Sequence, residues 1–483
     1  MTDHTAGAIK IAPAPPTRLQ PDAIGVAQDT VIGMASAAPA VCVALTLAPL
    51  AAATAYGGVP SIVLTGVPML IIANAYRRLN MWNANCGASF EWVGRSMNPY
   101  LGFLTGWLMI AGYIIGAVAG VEVIGPSVLA VFTSGTGSTW TNVLIATAVS
   151  LAMLVIAIVG IRITARAQVG MAAVEYSILI AFALVGLILV LRHHPGTYPI
   201  TRGWFSLSGD NGGGSLAAGL LLSVFIFSGW EGTLYVNEET KHRRINPGRA
   251  AIVAVILLTI IYAVAQLGLQ GVVSPKALQA HSTSALVYVA QAIGGSGWAK
   301  VMALSLALSV IAATLTNIVL TSRIIYGMAS YRSLPEFLAT VSRRFATPVA
   351  ASIVVGVLLI ALTWVYLLAS SVQNAFTAVI DTSGLLFGAF YILTALATMT
   401  YYRRRIFTNL WDTLILGILP LAASVFLGWI IYKSCLSAPT SQNLSLIGVV
   451  VLGVVLMFTA RYLLRSPFFA IPREADGVQR RRH

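Results

Sequence analysis

The chain has 483 residues; it is 58% hydrophobic and only 9% charged, with a mean hydropathy of +0.85, whereas soluble globular proteins carry about 25% charged residues. That much apolar surface cannot be hidden from water in one soluble core, so lipid must be the solvent and the chain reads as one membrane domain. The net charge of +14 does not signal nucleic acid, because the arginines punctuate the apolar runs instead of forming one patch, and three cysteines support no disulfide framework.

Residues 1–28, rich in proline and alanine through Asp22, lack the charged-then-apolar pattern of a signal peptide and are expected to be a flexible cytoplasmic tail. Apolar runs of about 20 residues are the unit to count from there on. Twelve occur, at 31–54, 57–76, 99–124, 140–160, 168–191, 214–237, 250–273, 299–322, 348–369, 376–400, 411–432 and 443–463. Span 3 can run on to Phe132. The stretch 277–297 holds polar residues and glycines and is expected to be an extracellular loop with a short helix. Residues 466–483 form a basic cytoplasmic tail, which leaves 29–465 as the transmembrane domain.

Lysine and arginine set the orientation. With the N-terminus inside, the inner segments hold 24 of the 29 basic residues; only Arg192, Arg202, Lys276, Lys300 and Lys433 face out. A wrong span count would scramble this asymmetry, so the split supports both the count and the direction. Both termini are expected in the cytoplasm, and Cys86 and Cys435 fall on opposite sides of the membrane.

Two spans are interrupted. Span 1 reads VIGMASAAPAVCVA, with Gly33, Ser36 and Pro39, and span 6 reads FIFSGWEGTLY, with Ser228, Gly229, Glu231 and Gly232. Pro39 cannot donate a hydrogen bond and clashes with the carbonyl four residues back in a continuous helix. Small residues beside it let the backbone approach a ligand. The breaks are five spans apart, as expected if spans 1–5 and 6–10 are repeats, and an odd number of spans per repeat inverts one against the other. An opened turn presents N–H groups at one end and carbonyls at the other, a match for the zwitterionic head of an amino acid. The expected substrate contacts are therefore Ala35, Ser36, Ala37 and Ala38 in span 1, with Phe227, Ser228, Gly229 and Trp230 in span 6. The competing reading is a mere kink, since proline and glycine are common in membrane helices.

Further motifs accompany the breaks. After span 2, NCGASFEWVGRSMNPYLGFLTGW resembles the cytoplasmic segment of the amino acid–polyamine–organocation (APC) transporter superfamily, with Gly87, Phe90, Gly102, Gly106 and Trp107 in the matching places. Span 6 and its exit, FSGWE…NEETKHRRINPGRA, resemble that family's F-x-G-x-E followed by E-E-[ST]-x-x-P-x-R. TSRIIYGMASYRSLPEFLATVSRRFATPVAA, after span 8, is similar to its S-R-x-x-Y loop and the threonine–proline start of span 9. The resemblance, from span 1 to the end of span 10, implies an all-α membrane protein with a LeuT-like 5+5 inverted repeat. Residues 31–191 would form the first repeat, 214–400 the second, and 411–465 the additional helices 11 and 12. Two departures stand out. Many relatives read G-S-G-I-F at the first break, where this chain has Ala35-Ser36-Ala37-Ala38-Pro39. Several proton-coupled relatives carry a lysine in span 5 where ARAQVGMAAVEY puts Glu175 at or next to that place.

An acid inside hydrocarbon is a functional candidate by default. Glu231 follows the second break and matches the family's F-x-G-x-E acid; its reading is coupling with proton exchange, against a structural cap on freed N–H groups. Glu175 is a second coupling candidate, against a salt bridge with Arg162 or Arg166. Glu122 and Asp381 can simply reach the interface from the outer parts of spans 3 and 10. Trp230 and Phe227 are gating or packing residues, and a cation–π contact from Trp230 to a substrate ammonium is available. Ser309, Thr314 and Thr316 offer oxygens for sodium, but hydroxyls also satisfy themselves on their own helix. Glu238, Glu239, Lys241 and Arg243 read as a cytoplasmic ion-pair cluster, each pair contributing little.

These features favour a secondary active transporter of the cell membrane. It would carry an amino acid or related amine by alternating access, coupled to protons or else sodium, with no cofactor and no metal. An amino acid exchanger and a polyamine permease are the near alternatives, and a channel is the remote one, as no repeated pore loop occurs. An enzyme would need a polar catalytic cluster, and an ATP-driven pump a G-x-x-x-x-G-K-[ST] loop; the sequence holds neither.

Overall fold

In hydrocarbon each backbone N–H and C=O must find its partner within its own segment, so the apolar runs become helices. The computed structural model describes residues 18–54, 56–133, 137–206, 216–281, 284–368 and 376–476. Among them, eleven helices are long and apolar enough to cross a bilayer; the run expected as span 6 is a shorter apolar helix over Ala218–Leu234. The break inside it causes that shortfall.

Span 1 divides into α1 (Val26–Ser36) and α2 (Pro39–Thr54). Then follow α3 (Gly58–Trp82), the short α4 (Ser89–Ser96), α5 (Pro99–Phe132), α6 (Thr139–Val159) and α7 (Ile161–Leu191). The second half repeats the plan: α8 (Leu216–Phe227) and a 3₁₀ turn over Trp230–Leu234 form span 6. After them come α9 (Asn246–Leu269), the short α10 (Pro275–Ala280) and α11 (Ala285–Gly294), α12 (Ser296–Ser330), α13 (Val349–Leu368) and α14 (Phe376–Tyr401). The 5+5 arrangement is thus visible in the connectors too, since short helices join spans 2 to 3 and spans 7 to 8. Outside the repeats, α15 (Leu410–Asp412) runs through a π turn over Thr413–Ile418 into α16 (Leu419–Ser437), and α17 (Thr440–Phe458) follows.

Local sequence explains several boundaries. Asn98 caps α5 by accepting from the Tyr100 N–H, with Pro99 at the first helical position, where a missing N–H is harmless. Ser138 caps α6 through the Thr141 N–H. The α1–α2 segment, α12 and much of α14 are mostly buried, whereas α6 and α17 are mostly exposed. The former make the centre of the bundle and the latter face lipid.

Two expectations change. The first helix starts at Val26, inside the stretch expected to be a free tail. The loop after span 7 folds into two short helices rather than one. Its polar residues do not prevent helix, because Ser274 caps α10 with Pro275 next to it. The described part of the C-terminal segment, expected only as a basic cytoplasmic tail, packs back on the bundle. Phe468 stacks on Phe90 with ring centroids 4.0 Å apart, and Glu474 meets Arg95 at 2.9 Å.

Candidate functional site

Both breaks follow from identifiable residues. Proline disfavours helical backbone in the residue before it, and Ala38 leaves the helix with φ +44°. Span 6 ends its first helix at Phe227; Gly229 then takes φ +111°, a conformation that favours glycine. A Cβ on Gly229 would lie 2.7 Å from the Ser36 carbonyl carbon and 2.9 Å from the Ala37 nitrogen. The two breaks therefore touch backbone to backbone, which their spacing in sequence anticipated only as pairing. Gly229→Ala adds left-handed strain of roughly 1–3 kcal/mol to a backbone clash that cannot relax cheaply. The expected result is a lower thermal unfolding midpoint and loss of transport, checked by melting and uptake of the purified protein.

A cavity opens at this junction, with about 60 Å³ available to the centre of a water molecule. Ser36, Ala37, Ala38 and Ser228 line it, together with Tyr113 from α5, Asn317 from α12 and Phe387 from α14. The lining continues along α2 to Leu45 and along α5 to Gly120, away from the arginine-rich face. Four of the eight expected contact residues are thus brought together. Ala35, Phe227, Gly229 and Trp230 are not on the lining. Phe227 sits edge-on against Tyr262, with centroids 5.6 Å apart. Trp230 is buried beneath the cavity, stacked on Tyr391 at 5.5 Å and edge-on to Tyr76 at 5.3 Å. The indole is wholly buried, so no cation–π contact with a ligand is open to it here.

Glu231 is fully buried and caged. Tyr113 donates to its Oε1 at 2.6 Å, Tyr391 to its Oε2 at 2.5 Å, and the Gly229 N–H to Oε2 at 3.1 Å. Three donors from spans 3, 6 and 10 converge on one carboxylate. Below them Tyr76, Ser89 and Thr394 form a hydroxyl cluster with separations of 2.9–3.2 Å.

Glu175 is also fully buried. Its Oε1 accepts the Ala40 N–H, in the first turn of α2, at 3.0 Å, and the neighbouring Val41 N–H reaches Ser309 Oγ at 3.4 Å. Arg162 and Arg166 are exposed, and the salt bridge to either, the competing reading of Glu175, is absent. The side chain points into the bundle rather than toward the basic end of its span. Of the other hydroxyls considered for sodium, Thr314 donates to the Val310 carbonyl and Thr316 to that of Ala312. The side chains of Glu122 and Asp381 lie outside the described residues.

On the arginine-rich face the expected surface cluster is replaced by a buried pair. Arg323 of α12 holds Glu239 through two hydrogen bonds, at 2.9 and 3.1 Å, and both side chains are wholly buried. Lys241 and Arg243 are exposed, and Glu238 instead accepts the Cys86 N–H at 3.1 Å. Burial pushes the Glu238 carboxyl above its ordinary range. The Glu239 carbonyl accepts the N–H groups of Ala23 and Ile24 at 2.8 and 3.2 Å, and Asp29 accepts from Thr240 at 3.3 Å. The start of span 1, the exit of span 6 and the end of span 8 are stitched together there.

Sequence reasoning passed over Tyr113, Tyr391 and Asp29, and met Arg323 only as the arginine of the S-R-x-x-Y resemblance. A tyrosine within an apolar span carries no spacing signal, and its 118- and 160-residue separations from Glu231 are closed only by packing. Asp29 was within reach as an acid near an apolar run, but it lay next to the tail boundary.

Comparison with known proteins completes the picture. A family model described as amino acid permease matches residues 30–457. The Asc-type amino acid transporter 1 of Mus musculus is 32% identical over 141 residues, 29% of this chain and 26% of that protein. The vacuolar cationic amino acid transporter 4 of Arabidopsis thaliana is 24% identical over 319 residues, 63% of this chain and 52% of its own length. The match to the mouse protein therefore spans about a quarter of that relative, and the match to the plant protein about half. Among solved structures, the Eremococcus coleocola manganese transporter in complex with an aromatic bis-isothiourea substituted compound superposes with a TM-score of 0.59 at 12% identity. That superposition covers 91% of this chain and 95% of that one, and it speaks to the fold alone.

Proposed function

Because the chain belongs to the amino acid permease family, its model matching residues 30–457, we propose that it is a secondary active transporter of a small amine-bearing solute, an amino acid or a related amine. It works by alternating access in the cell membrane, with the arginine-rich face and both termini in the cytoplasm. The observation that carries this reading is the contact of two broken spans, Gly229 against Ser36 and Ala37, beside a cavity that both line. Discontinuous helices at the repeat interface are where secondary transporters bind substrate. The buried stitching on the basic face supports a conformation closed on that side, one of the two that alternating access requires.

Proton coupling runs through Glu231. As a carboxylate it accepts all three of its hydrogen bonds. Protonated, it must donate one, and only a tyrosine hydroxyl can turn to accept it. Tyr113 is such a hydroxyl and lines the cavity, so gain of a proton reorients a donor next to the substrate. The test is uptake by proteoliposomes across an amino acid and amine panel, with imposed proton or sodium gradients. Uptake of at least one solute, accelerated by a proton gradient, is expected. Uptake indifferent to that gradient sinks the coupling, and single-channel currents in a bilayer sink the transporter reading.

A further inference from the structure

Each helix that stops at the cavity brings a partial charge, and its sign decides what the end can hold. A helix leaves bare N–H groups at its start and bare carbonyls at its end, equivalent to roughly half a positive and half a negative charge. At the first break the positive end is the start of α2. Pro39 has no N–H, the Ala40 N–H goes to Glu175 at 3.0 Å, and the Val41 N–H goes to Ser309 at 3.4 Å. Ahead of them, the Ala37 and Ala38 N–H groups fold back on the Met34 and Ala35 carbonyls at 3.1 and 3.2 Å. At the second break the Gly229 N–H goes to Glu231. Every N–H from residue 37 to 41 is taken, and both breaks have spent a donor on one of the chain's own carboxylates.

The negative ends keep acceptor capacity: the Met34 and Ala35 carbonyls each accept one backbone N–H, but a carbonyl holds two lone pairs, and at the second break it is the Phe225 carbonyl that Ser228 occupies. α1 stops at Ser36 and α8 at Phe227, and Ser36 and Ser228 both line the cavity. Among the described residues no lysine, arginine or histidine lines it. A bound carboxylate would find no free backbone donor at the first break and would sit near two buried acids. An ammonium would find two carbonyl ends, with the two acids just behind the lining: Glu175 holds the Ala40 N–H between the lining residues Ala38 and Val41, and Glu231 holds the lining Tyr113. From this we propose that the cavity takes an organic amine lacking the α-carboxylate, with Glu175 standing where a substrate carboxylate would otherwise dock. The inference rests on the transporter reading above and narrows it.

The experiment compares matched pairs on the full-length protein: ethylamine with alanine, phenethylamine with phenylalanine, and putrescine with ornithine. Thermal stabilisation in detergent and counterflow in proteoliposomes are the readouts. At least one amine should act at a concentration at least tenfold lower than its parent amino acid. Glu175→Ala frees the Ala40 N–H and should shrink that preference at least tenfold. Glu175→Gln keeps the acceptor without the charge, should shrink the preference by less, and carries the test if the alanine variant does not fold. A wild-type preference for the amino acid overturns the inference while leaving a transporter. A response to no member of any pair removes the transporter reading, and the inference with it. Amine preference unchanged in both variants overturns the role given to Glu175.

Discussion

Glu231→Gln is expected to abolish gradient-driven uptake while the protein still folds. The glutamine fits the same space, and its carbonyl oxygen can keep one tyrosine donor. Its amide nitrogen, however, faces groups that now donate, either the Tyr391 hydroxyl and the Gly229 N–H or the Tyr113 hydroxyl. One donor loses its acceptor or a tyrosine must turn, which costs about 1–3 kcal/mol for a buried group. More important for transport, the side chain can no longer gain or lose a proton. A coupling free energy of about 1–3 kcal/mol corresponds to a five- to 150-fold effect, so stimulation by a proton gradient should fall at least about fivefold. Counterflow, which needs no net proton movement, should survive. Tyr113→Phe removes the hydroxyl that links the carboxylate to the cavity and should weaken the stimulation without erasing it. Wild-type uptake in Glu231→Gln would reduce the residue to a cap on the Gly229 N–H.

How much of this was legible in the sequence depends on the range of the interactions involved. Span positions are, because burial in lipid is set by 20 consecutive side chains and needs no distant partner. The breaks are legible too, since Pro39 and Gly229 act on their own backbone. What the breaks touch is not. That Gly229 packs on Ser36, or that Ala40 spends its N–H on Glu175, depends on contacts across 193 and 135 positions of chain. Trp230 shows the limit well. An aromatic residue at a helix break reads equally as a gate or as packing, and the rings of Tyr76 and Tyr391 decide the matter in this conformation. The charged residues after span 6 misled for a related reason. Adjacent acids and bases suggest a local surface cluster, but the partner of Glu239 is 84 residues away on α12 and the pair is buried.

That burial gives the other large expected effect. Arg323→Met leaves Glu239 in the protein interior with its two charge-assisted hydrogen bonds gone, and removing one partner of a buried ion pair costs about 3–5 kcal/mol. Arg323 also donates to the Val319 carbonyl at 3.3 Å, a further bond that the substitution removes. The thermal unfolding midpoint should fall, with less protein recovered as a single species. The double variant Arg323→Met/Glu239→Leu removes both charges and should regain most of the stability, because apolar replacement of a buried pair is often neutral. Its function should differ from its stability. The Glu239 backbone still accepts Ala23 and Ile24, but α12 no longer grips the segment that carries them. Opening on the basic face should then become easier. Cys86 reports on this directly, since it is fully buried and its N–H is held by Glu238, next to the pair. A membrane-impermeant maleimide applied to that face should label Cys86 faster in the double variant than in the wild type. Unchanged labelling together with full stability would mean that the pair is an anchor within the bundle and not part of the closure.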